Sequence, residues 1–445
     1  MGGEWPNYCL GDLIEIKHGW AFKGTFMDET RNEGPIVVAI GNFEYTGGFR
    51  FGSTKLKRYT ADFPVEYQLK PDDILLAMTC QTSGGEILGI PGVIPDDHNN
   101  YLHNQRLGKV VIKQPAKVSK KYLYWLFLTR EFNHYLFSTA TGTKILHTSP
   151  SRITLFNCLL PPLEEQQQIA NMLWAIQSRI ELNRRMNETL EGMAQALFKS
   201  WFVDFDPVID NALASGKEIP ENLRERARVR AALGDKRRPL PEEIRTLFPD
   251  EFTYSDELGW IPLGWKTGIV DDILNRLKVK KRYNKKEVAD YGITPVYEQG
   301  SNLLLGYHVG VADIEATPEE PAFIFGDHTC VTKLTCEPFS ISQNVIPLKG
   351  KLYPTNWVYY AIQGKQLFEE YRRHWKELII KSVIIPPVGL GKCYDLLVKD
   401  WSMKKMAISH QHATLTKLRD TLLPKLLSGE LRIPDAEKMV EELAL

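Results

Sequence analysis

The amino-acid sequence repeats one plan twice, a globular stretch followed by a long helix that begins at a Pro-Pro pair. The pairs stand at residues 161–162 and 386–387, so the helices match with an offset of 386 − 161 = 225. The two copies also begin alike, since Trp5 matches Trp265 with an offset of 265 − 5 = 260. A two-fold internal repeat predicts a molecule with pseudo-two-fold symmetry, and such symmetry suits a target that has two parts.

The offset between the copies decreases along the chain. Gln105 matches Gln343 with an offset of 343 − 105 = 238, which lies between the other two values. The second globular copy is therefore predicted to be the same design, shorter by 260 − 225 = 35 residues. The matched helical positions are Ile169 with Tyr394, Met172 with Leu397, Ile176 with Trp401, Leu190 with Leu415, Met193 with Leu418, Leu197 with Leu422 and Trp201 with Leu426.

The first helix carries apolar side chains at alternating steps of three and four residues, with one skip at Arg179. This spacing predicts a coiled-coil seam, in which Asn183 is the kind of polar residue that can fix the register. The second helix is the obvious partner, so we predict an antiparallel pair that separates the two globular domains. The predicted seam and subunit interface comprises Ile169, Met172, Ile176, Asn183, Met186, Leu190, Met193, Leu197, Trp201, Leu397, Trp401, Leu415, Leu418 and Leu422.

Three features of the second helix carry predictions of their own. The opening sequence Val-Gly-Leu-Gly-Lys-Cys at 388–393 is predicted to interrupt the first turn. Pro424 is predicted to kink or end the helix, because proline lacks the amide hydrogen that the helix needs. Gly429 is predicted to stop it.

The two globular stretches are typical of mixed domains that are rich in short strands. Strands are predicted at 35–40, 73–77, 109–112, 322–326 and 344–348, and helices at 119–137 and 356–370. The predicted fold class is α+β, with two mixed α/β domains, two long helices that form an antiparallel coiled coil, and a pseudo-two-fold internal repeat. The predicted boundaries are 1–157 for the first domain, 158–206 for the first helical region, 207–257 for a connector with one short helix at 221–233, 258–381 for the second domain, 382–430 for the second helical region and 431–445 for a C-terminal tail.

Composition limits the class of protein. Lys and Arg balance Asp and Glu at 55 each, so the overall charge argues against a simple basic protein that coats DNA. The six cysteines include no C-x-x-C pair, which argues against a zinc ribbon or a disulfide framework. The chain shows no signal-peptide pattern and no apolar run of about 18 residues, so the sequence predicts a soluble cytoplasmic protein.

The motifs that would indicate catalysis are missing from the sequence. A nucleic-acid amine methyltransferase carries Asn/Asp-Pro-Pro-aromatic, but the pairs here read Leu-Pro-Pro-Leu at 160–163 and Ile-Pro-Pro-Val at 385–388. The sequence contains neither G-x-G-x-x-G after a strand nor a phosphate-binding P-loop. Its ten histidines show no metal-ligand spacing. We therefore predict a protein that has no catalytic residues and no metal or cofactor of its own.

Basic and polar clusters predict where the chain binds nucleic acid, because Lys and Arg neutralise phosphates while Asn and Arg read base edges. A solvated charged loop is the competing interpretation, about equally favoured for the densest run at 278–286. A polar loop at 139–151 and a basic cluster at 372–376 precede equivalent parts of the two copies. The candidate DNA-binding residues are Arg50, Lys55, Lys57, Arg58, Thr141, Thr143, Lys144, His147, Lys280, Lys281, Arg282, Tyr283, Asn284, Lys285, Arg372, Arg373 and His374.

The chain resembles the specificity (S) subunits of type I restriction–modification systems. Residues 159–206, LLPPLEEQQQIANMLWAIQSRIELNRRMNETLEGMAQALFKSWFVDFD, are similar to the first central helical region of that family. Residues 415–433, LTKLRDTLLPKLLSGELRI, are similar to its distal counterpart, although 388–393 replaces the usual Glu/Gln-rich opening. The resemblance covers essentially the whole chain.

The resemblance implies a DNA-recognition role without catalysis. Each globular domain is expected to be a target-recognition domain for one half of an asymmetric, bipartite sequence in double-stranded DNA, with the coiled coil setting the spacer. The expected partners are two methyltransferase (M) subunits, which use S-adenosylmethionine, and restriction (R) subunits, which use ATP and Mg²⁺. The alternatives are a coiled-coil scaffold without DNA readout and a stand-alone DNA methyltransferase or nuclease.

Overall fold

The computed structural model describes residues 5–53, 55–234, 240–300 and 302–442. The chain divides into two compact units, unit 1 (Met1–Glu181 with His412–Leu445) and unit 2 (Leu182–Gln411). The division falls within both long helices, so each unit contains part of each helix. No helix in the described ranges combines the length and the apolar character of a membrane span.

Unit 1 contains the first globular copy. Its strands are β1 (Asn7–Cys9), β2 (Ile14–His18), β3 (Met27–Asp28), β4 (Ile36–Val37), β5 (Arg58–Tyr59), β6 (Gln68–Leu69), β7 (Ile74–Ala77), β8 (Thr79–Cys80), β9 (Pro91–Val93), β10 (Tyr101–Leu102), β11 (Leu107–Ile112), β12 (Leu146–His147) and β13 (Asn157–Leu159). Its helices are α1 (Leu10–Leu13), α2 (Lys120–Phe127), α3 (Arg130–Thr139), α4 (Pro150–Thr154) and the first part of α5 (Leu163–Phe202). The sheets have the strand orders β2-β11-β7-β9, β3-β5-β4-β10-β6, β1-β13 and β12-β8.

Unit 2 contains the second copy and the segment that leads to it. Its helices, apart from the second part of α5, are α6 (Asp206–Ser215), α7 (Arg224–Ala232), α8 (Glu242–Arg245), α9 (Val270–Ile273), α10 (Thr355–Ile362), α11 (Trp375–Ile379) and the first part of α12 (Val388–Ser428). Its strands are β14 (Phe252–Ser255), β15 (Gly259–Pro262), β16 (Lys266–Ile269), β17 (Leu274–Arg276), β18 (Arg282–Tyr283), β19 (Thr294–Tyr297), β20 (Leu304–His308), β21 (Ala322–Gly326), β22 (Thr332–Thr335), β23 (Ser340–Ser342), β24 (Val345–Gly350) and β25 (Ser382–Ile385). These strands form four sheets with the strand orders β17-β24-β21-β22, β18-β23-β19-β20, β16-β25 and β14-β15. The C-terminal helix α13 (Ile433–Glu442) belongs to unit 1.

Strand register confirms the internal repeat. In unit 1, Ile14 pairs with Ile112, and adding the sequence offsets 260 and 238 gives Leu274 and Gly350, which pair in unit 2. The central strands agree as well, because the pair Ala77 and Leu107 corresponds to Gly326 and Val345. The second pair gives offsets of 326 − 77 = 249 and 345 − 107 = 238. The offset therefore decreases stepwise within the fold, as the sequence predicts.

Two predicted helices differ from the structure at their ends. The helix predicted at 119–137 is two helices, because the hydroxyl of Thr129 accepts from the amide of Phe132 and begins α3 there. The helix predicted at 356–370 ends at Ile362, since Gln363 leaves the helical conformation and Gly364 has a φ of +70°. The strands predicted at 322–326 and 344–348 are confirmed as β21 and β24, the latter within one residue at its start.

The two long helices pack against each other in each unit, and they run antiparallel. In unit 1, the Arg419 guanidinium donates to the Gln177 amide oxygen at 2.7 Å, and Arg432 forms an ion pair with Glu165 at 2.7 Å. In unit 2, Asn183 is 1% exposed and donates its side-chain amide to Gln411 at 3.0 Å. The antiparallel pair is therefore confirmed, and the polar residue predicted in its seam has a polar partner.

The phase of the predicted seam is wrong at several positions. The side chains that are buried at coiled-coil spacing on α5 are Ile169, Leu173, Ile176, Ile180, Asn183, Ala194, Phe198 and Trp201. Met172, Met186 and Leu197 are only half-buried, and Met193 is 44% exposed. Apolar residues stand next to each other at several positions, so the sequence alone is compatible with two different buried faces. Because Ile180 is buried between Ile176 and Asn183, the seam has no skip at Arg179. On α12, Leu415, Leu418 and Leu422 are buried, Trp401 is half-buried and Leu397 is exposed.

The second long helix continues through the residues that were predicted to break it. Its first turn is helical from Val388, and Gly391 permits close packing because a Cβ there would lie 2.9 Å from the Tyr353 ring. Pro424 neither ends α12 nor faces the core, so water can satisfy the Asp420 carbonyl that proline leaves without a donor. The helix ends at Ser428, where Gly429 has a φ of +76°, as predicted for a glycine stop.

The segment at 207–257, predicted as a connector with one short helix, contains more than one helix among its described residues. Its predicted short helix is confirmed as α7, and α6 and α8 accompany it. The carboxylate of Asp206 is buried and accepts hydrogen bonds from both Arg226 Nε and Arg226 Nη2 at 2.8 Å. Because Phe205 and Phe248 also join the main apolar core of unit 2, this segment contributes to the stability of that unit.

Candidate nucleic-acid interface

The basic loop of unit 2, residues 278–286, has an exposed face and an inward face. Lys278, Lys280, Lys285 and Lys286 are exposed. Lys281 forms an ion pair with Glu287 at 2.9 Å, and this hydrogen bond raises the pKa of the Lys281 ammonium. The Arg282 guanidinium points inward and donates to the carbonyls of Ser342 and Val345 at 2.9 and 2.8 Å. Burial lowers the pKa of Arg282, and its role is structural, so we remove it from the candidate DNA contacts.

Two further candidates in this loop are held by neighbouring groups. The ring of Tyr283 stacks on His308 with centroids 4.4 Å apart, and the Lys281 ammonium lies 4.5 Å from the Tyr283 centroid. The side chain of Asn284 caps a short 3₁₀ turn, accepting from the Lys286 amide at 3.0 Å and donating to Glu287 at 2.6 Å. Asn284 is thereby used to shape the loop. The sequence pattern did not distinguish this capping role from base reading.

The cluster at 372–374 also divides into inward and outward side chains. His374 is fully buried, and its Nε2 lies 3.0 Å from the carbonyl oxygen of Glu370. Arg372 is paired with Glu369, Glu370 and Glu377. Arg373 has a side chain that is 76% exposed, with Nε 3.8 Å from an Asp327 carboxylate oxygen. Of the three predicted residues, Arg373 is therefore the one that can reach a ligand without rearrangement.

The basic candidates of unit 1 between residues 50 and 58 differ in how their side chains are held. Lys55 is exposed, and Lys57 lies 3.3 Å from Glu29. The Arg50 and Arg58 guanidinium groups donate to the carbonyls of Gly41 and Gly34. Both arginines thus have local hydrogen-bond partners, which holds their side chains close to the backbone.

The polar loop of unit 1 forms a small hairpin that is anchored at its base. Thr141 and His147 exchange backbone hydrogen bonds at 2.9 and 2.8 Å, and the Thr148 amide donates to the Met78 carbonyl at 2.9 Å. Gly142 has a φ of +103°, and a Cβ there would lie 2.0 Å from the Ile145 carbonyl oxygen, so the turn requires glycine. Thr143 and Lys144 are exposed at the tip. The four predicted residues of this loop therefore lie together.

An aromatic pair in unit 2 was absent from the sequence predictions. Tyr371, which is 73% exposed, stacks on His328 with ring centroids 4.7 Å apart. Asp327 holds the adjacent backbone, because its carbonyl accepts from the His374 amide at 2.7 Å and its carboxylate accepts from the Trp375 amide at 2.9 Å. The only sequence signal for this pair was the density of aromatic and basic residues around 371–375.

The candidate residues of both units are basic, polar and aromatic side chains. Across the parts of the chain that the structure describes, no group of three or more His, Cys, Asp or Glu side chains could hold a metal ion. Cys80, Cys158 and Cys336 are buried thiols, and Cys9, Cys330 and Cys393 are half-buried. The lysines, arginines and stacked rings described above are instead suited to phosphates and bases.

Comparison with known proteins relates both the sequence and the fold to one class. Residues 2–192 match the family model described as type I restriction modification DNA specificity domain. The specificity subunit of the type I restriction enzyme MjaIX from Methanocaldococcus jannaschii is 27% identical over 366 residues, covering 77% of this chain and 76% of that protein. The HindI specificity subunit from Haemophilus influenzae is 24% identical over 491 aligned positions, covering 96% and 100%.

The fold has a similar relative among solved structures. The S subunit of a type I restriction–modification system from M. genitalium superimposes with a TM-score of 0.56 at 15% identity. The match covers 95% of this chain and 96% of that one. It extends the likeness in fold across both copies of the repeat.

Proposed function

We propose that this chain is a specificity subunit of a type I restriction–modification system, and that its two globular copies each bind one half of an asymmetric, bipartite sequence in double-stranded DNA. The observation that carries this proposal is the agreement in strand register between the copies. The equivalent segments that precede α4 and α11 carry different side chains, Lys144 and His147 in one copy and Tyr371 and Arg373 in the other. Such a pair suits two half-sites of different sequence.

Methylome sequencing tests the proposal directly. We would compare DNA from cells that express this chain with its M subunit against DNA from cells that lack this chain. A gapped two-part motif that appears only with this chain is the expected result. If no new motif appears while the same M subunit is active with another S subunit, the coiled-coil scaffold becomes the better hypothesis.

We further propose that the helix pair binds two M subunits and sets the length of the spacer. The supporting feature is a groove on the unit 2 part of the pair, lined by Leu182, Arg185, Met186, Thr189, Leu190 and Lys404. Leu182 and Met193 are large apolar residues exposed on this part of α5. Apolar surface of this kind is typical of a protein-binding site. The α5 helix has 40 residues, or about 60 Å at 1.5 Å per residue, which is long enough to act as a rigid spacer.

Catalysis is assigned to the partners in this proposal. The M subunits would supply S-adenosylmethionine, and the R subunits would supply ATP and Mg²⁺ chemistry for translocation and cleavage. This chain would contribute DNA recognition in the cytoplasm and no catalytic residue. Purified chain without M and R subunits is then expected neither to methylate nor to cut DNA.

The basic loop of unit 2 gives a prediction on salt dependence. Replacing Lys285 and Lys286 together with glutamine is expected to weaken DNA binding by the S–M complex. The slope of log K against log salt should become shallower by about 2, since each lost phosphate contact removes about 0.9. Titrations at several salt concentrations measure this, with the exposed pair Lys266→Gln and Lys392→Gln as control. An equal slope for both double variants would contradict the assignment.

The polar pair in the seam gives a prediction on the spacer. Asn183→Leu is expected to keep the helix pair but to weaken its single register, because Gln411 loses its partner and an apolar contact accepts several alignments. Methylome sequencing should then show more than one spacer length where the unaltered chain gives one. A single unchanged spacer together with unchanged hydrogen exchange in α5 and α12 would refute this role.

A further inference from the structure

Each unit carries a small polar cluster at the end of its central strand. In unit 1, β7 is followed by Thr79, whose hydroxyl lies 3.0 Å from His147 Nδ1. Adding the central-strand offset of 249 to Thr79 gives His328, which follows β21 and stacks against Tyr371. The same backbone position thus meets an aromatic or imidazole ring from the loop before α4 in one unit and before α11 in the other.

The loops that supply these rings are also equivalent. Helix α4 begins at Pro150 and α11 at Trp375, which gives the Pro-Pro offset of 375 − 150 = 225. Just before them, the Thr148 amide donates to the Met78 carbonyl and the His374 amide donates to the Asp327 carbonyl. The two donor residues, Thr148 and His374, are 374 − 148 = 226 positions apart, which is within one residue of the Pro-Pro offset. Both loops are therefore fixed to the central sheet at one end.

We name these groups the strand-end clusters. The unit 1 strand-end cluster consists of Thr79, Thr143, Lys144 and His147, and the unit 2 strand-end cluster consists of Asp327, His328, Tyr371 and Arg373. Both combine an anchored backbone with exposed tips, namely Lys144 in unit 1 and Tyr371 and Arg373 in unit 2. The anchored backbone reduces the conformational entropy that these loops lose when they bind a ligand.

One atom in the unit 2 strand-end cluster lacks a hydrogen-bond partner. His328 Nδ1 is buried and, among the described residues, has none, although the His328 amide donates to Gln299 at 2.9 Å. Buried polar atoms without a partner are uncommon in folded proteins, and they call for an explanation such as function. The His328 ring stacks on the exposed Tyr371 ring, so a ligand that contacts Tyr371 would lie close to this cluster.

We propose that the two strand-end clusters are the base-reading elements of the chain, one for each half-site. This inference rests on the proposed function and identifies the side chains that perform it. Arg373 can donate in a bidentate manner to guanine O6 and N7, and Lys144 can donate to the same atoms. Tyr371 offers an apolar and hydrogen-bonding edge, held in place by His328. Because the clusters differ in residue type at equivalent positions, the half-sites that they read differ in sequence.

The experiment uses the purified S–M complex and the bipartite duplex identified by methylome sequencing. Binding is measured by competition at one salt concentration against duplexes that carry each single base-pair substitution in either half-site. The variants are Arg373→Ala and Tyr371→Ala in unit 2 and Lys144→Ala in unit 1. Arg228→Ala is the matched control, since Arg228 has a side chain that is 79% exposed in unit 2 but lies on α7.

Arg373→Ala is expected to lose about 10- to 100-fold of discrimination at one or two positions of one half-site. Discrimination in the other half-site should not change. Lys144→Ala should lose discrimination in that other half-site and keep it in the half-site that Arg373→Ala affects. Tyr371→Ala should affect the same half-site as Arg373→Ala, and Arg228→Ala should affect neither.

Three results would overturn the assignment. If a variant binds every duplex more weakly with unchanged base discrimination, the residue contacts phosphates or an M subunit. If a variant loses discrimination in both half-sites, the residue has a structural role. If neither affinity nor discrimination changes, the residue has no role in DNA binding. If the unaltered complex gives no gapped motif, the proposed function itself fails. That outcome is separate from all three, because it is established before any variant is made.

Discussion

Replacing Trp201 with alanine is expected to lower the free energy of unfolding of unit 2 by about 3–5 kcal/mol. Trp201 is buried in the core of that unit, with ring centroids 5.1 Å from Phe248, 6.0 Å from Phe202 and 6.4 Å from Tyr394. Loss of the indole removes apolar burial and leaves a cavity that these three rings cannot easily fill. Urea unfolding, with hydrogen exchange to assign the loss to unit 2, measures the change.

The matched control is Met193→Ala, on the same helix. Met193 is 44% exposed, so its truncation is expected to cost less than about 0.5 kcal/mol in stability while weakening the binding of an M subunit. The structure buries Trp201 together with Phe198 and Phe202 within unit 2, so these rings are not available to an M subunit. Should Trp201→Ala keep full stability but lose M binding, this account of the aromatic core would be wrong.

Asp206→Asn is expected to lower the free energy of unfolding of unit 2 by about 2 kcal/mol at neutral pH, because it weakens hydrogen bonds to a charged group. The buried carboxylate accepts from Arg226 at 2.8 Å and from Ser200 at 2.7 Å, and Arg230 lies 3.3 Å away. An amide at this position removes one charge partner from each guanidinium group, although Arg226 keeps Asp204 at 3.2 Å and Arg230 keeps Asp210. Urea unfolding of both proteins measures the loss, and Arg228→Ala, which breaks an exposed ion pair with Glu225 on the same helix, should change little.

The same carboxylate predicts how the difference depends on pH. Burial by itself would raise the pKa of Asp206, but hydrogen bonds from Arg226 and Ser200 and the nearby charge of Arg230 outweigh it, so the pKa is lowered. A lowered pKa stabilises the fold above the unfolded value of about 3.9, and this stabilisation is lost as pH falls through the folded value. The difference in free energy of unfolding between the original chain and Asp206→Asn should therefore become smaller below about pH 4. A constant gap from pH 7 to pH 3 would contradict this.

The parts of the fold that could be predicted from sequence are those governed by spacing along the chain. The repeat offsets recur in strand register because both copies keep the same pairings, as at Ile14 and Leu274. The seam phase was less certain, because Met172 and Leu173 are both apolar and only the partner helix decides which is buried. Leu173 is buried and Met172 is not.

The candidate site was harder to predict, because residue type does not reveal direction. Arg282, Asn284 and His374 have the chemistry of DNA contacts, yet each is used internally, for backbone carbonyls, a turn cap or a buried network. The Tyr371 and His328 stack joins residues 371 − 328 = 43 positions apart, which no local pattern indicates. Side-chain direction depends on tertiary contacts, so the sequence could name the loops but not the residues that project from them.

The first and last described parts of unit 1 are in contact, because the Arg432 guanidinium lies over the Trp5 ring at 5.0 Å and pairs with Glu165. Unit 2 is one continuous stretch, whereas unit 1 requires His412–Leu445, which starts 412 − 181 = 231 residues after its first segment ends. During synthesis on the ribosome, unit 2 can therefore be completed before unit 1, although unit 1 is begun first. A premature stop codon after residue 411 would retain the whole sequence of unit 2 and leave unit 1 without its second segment.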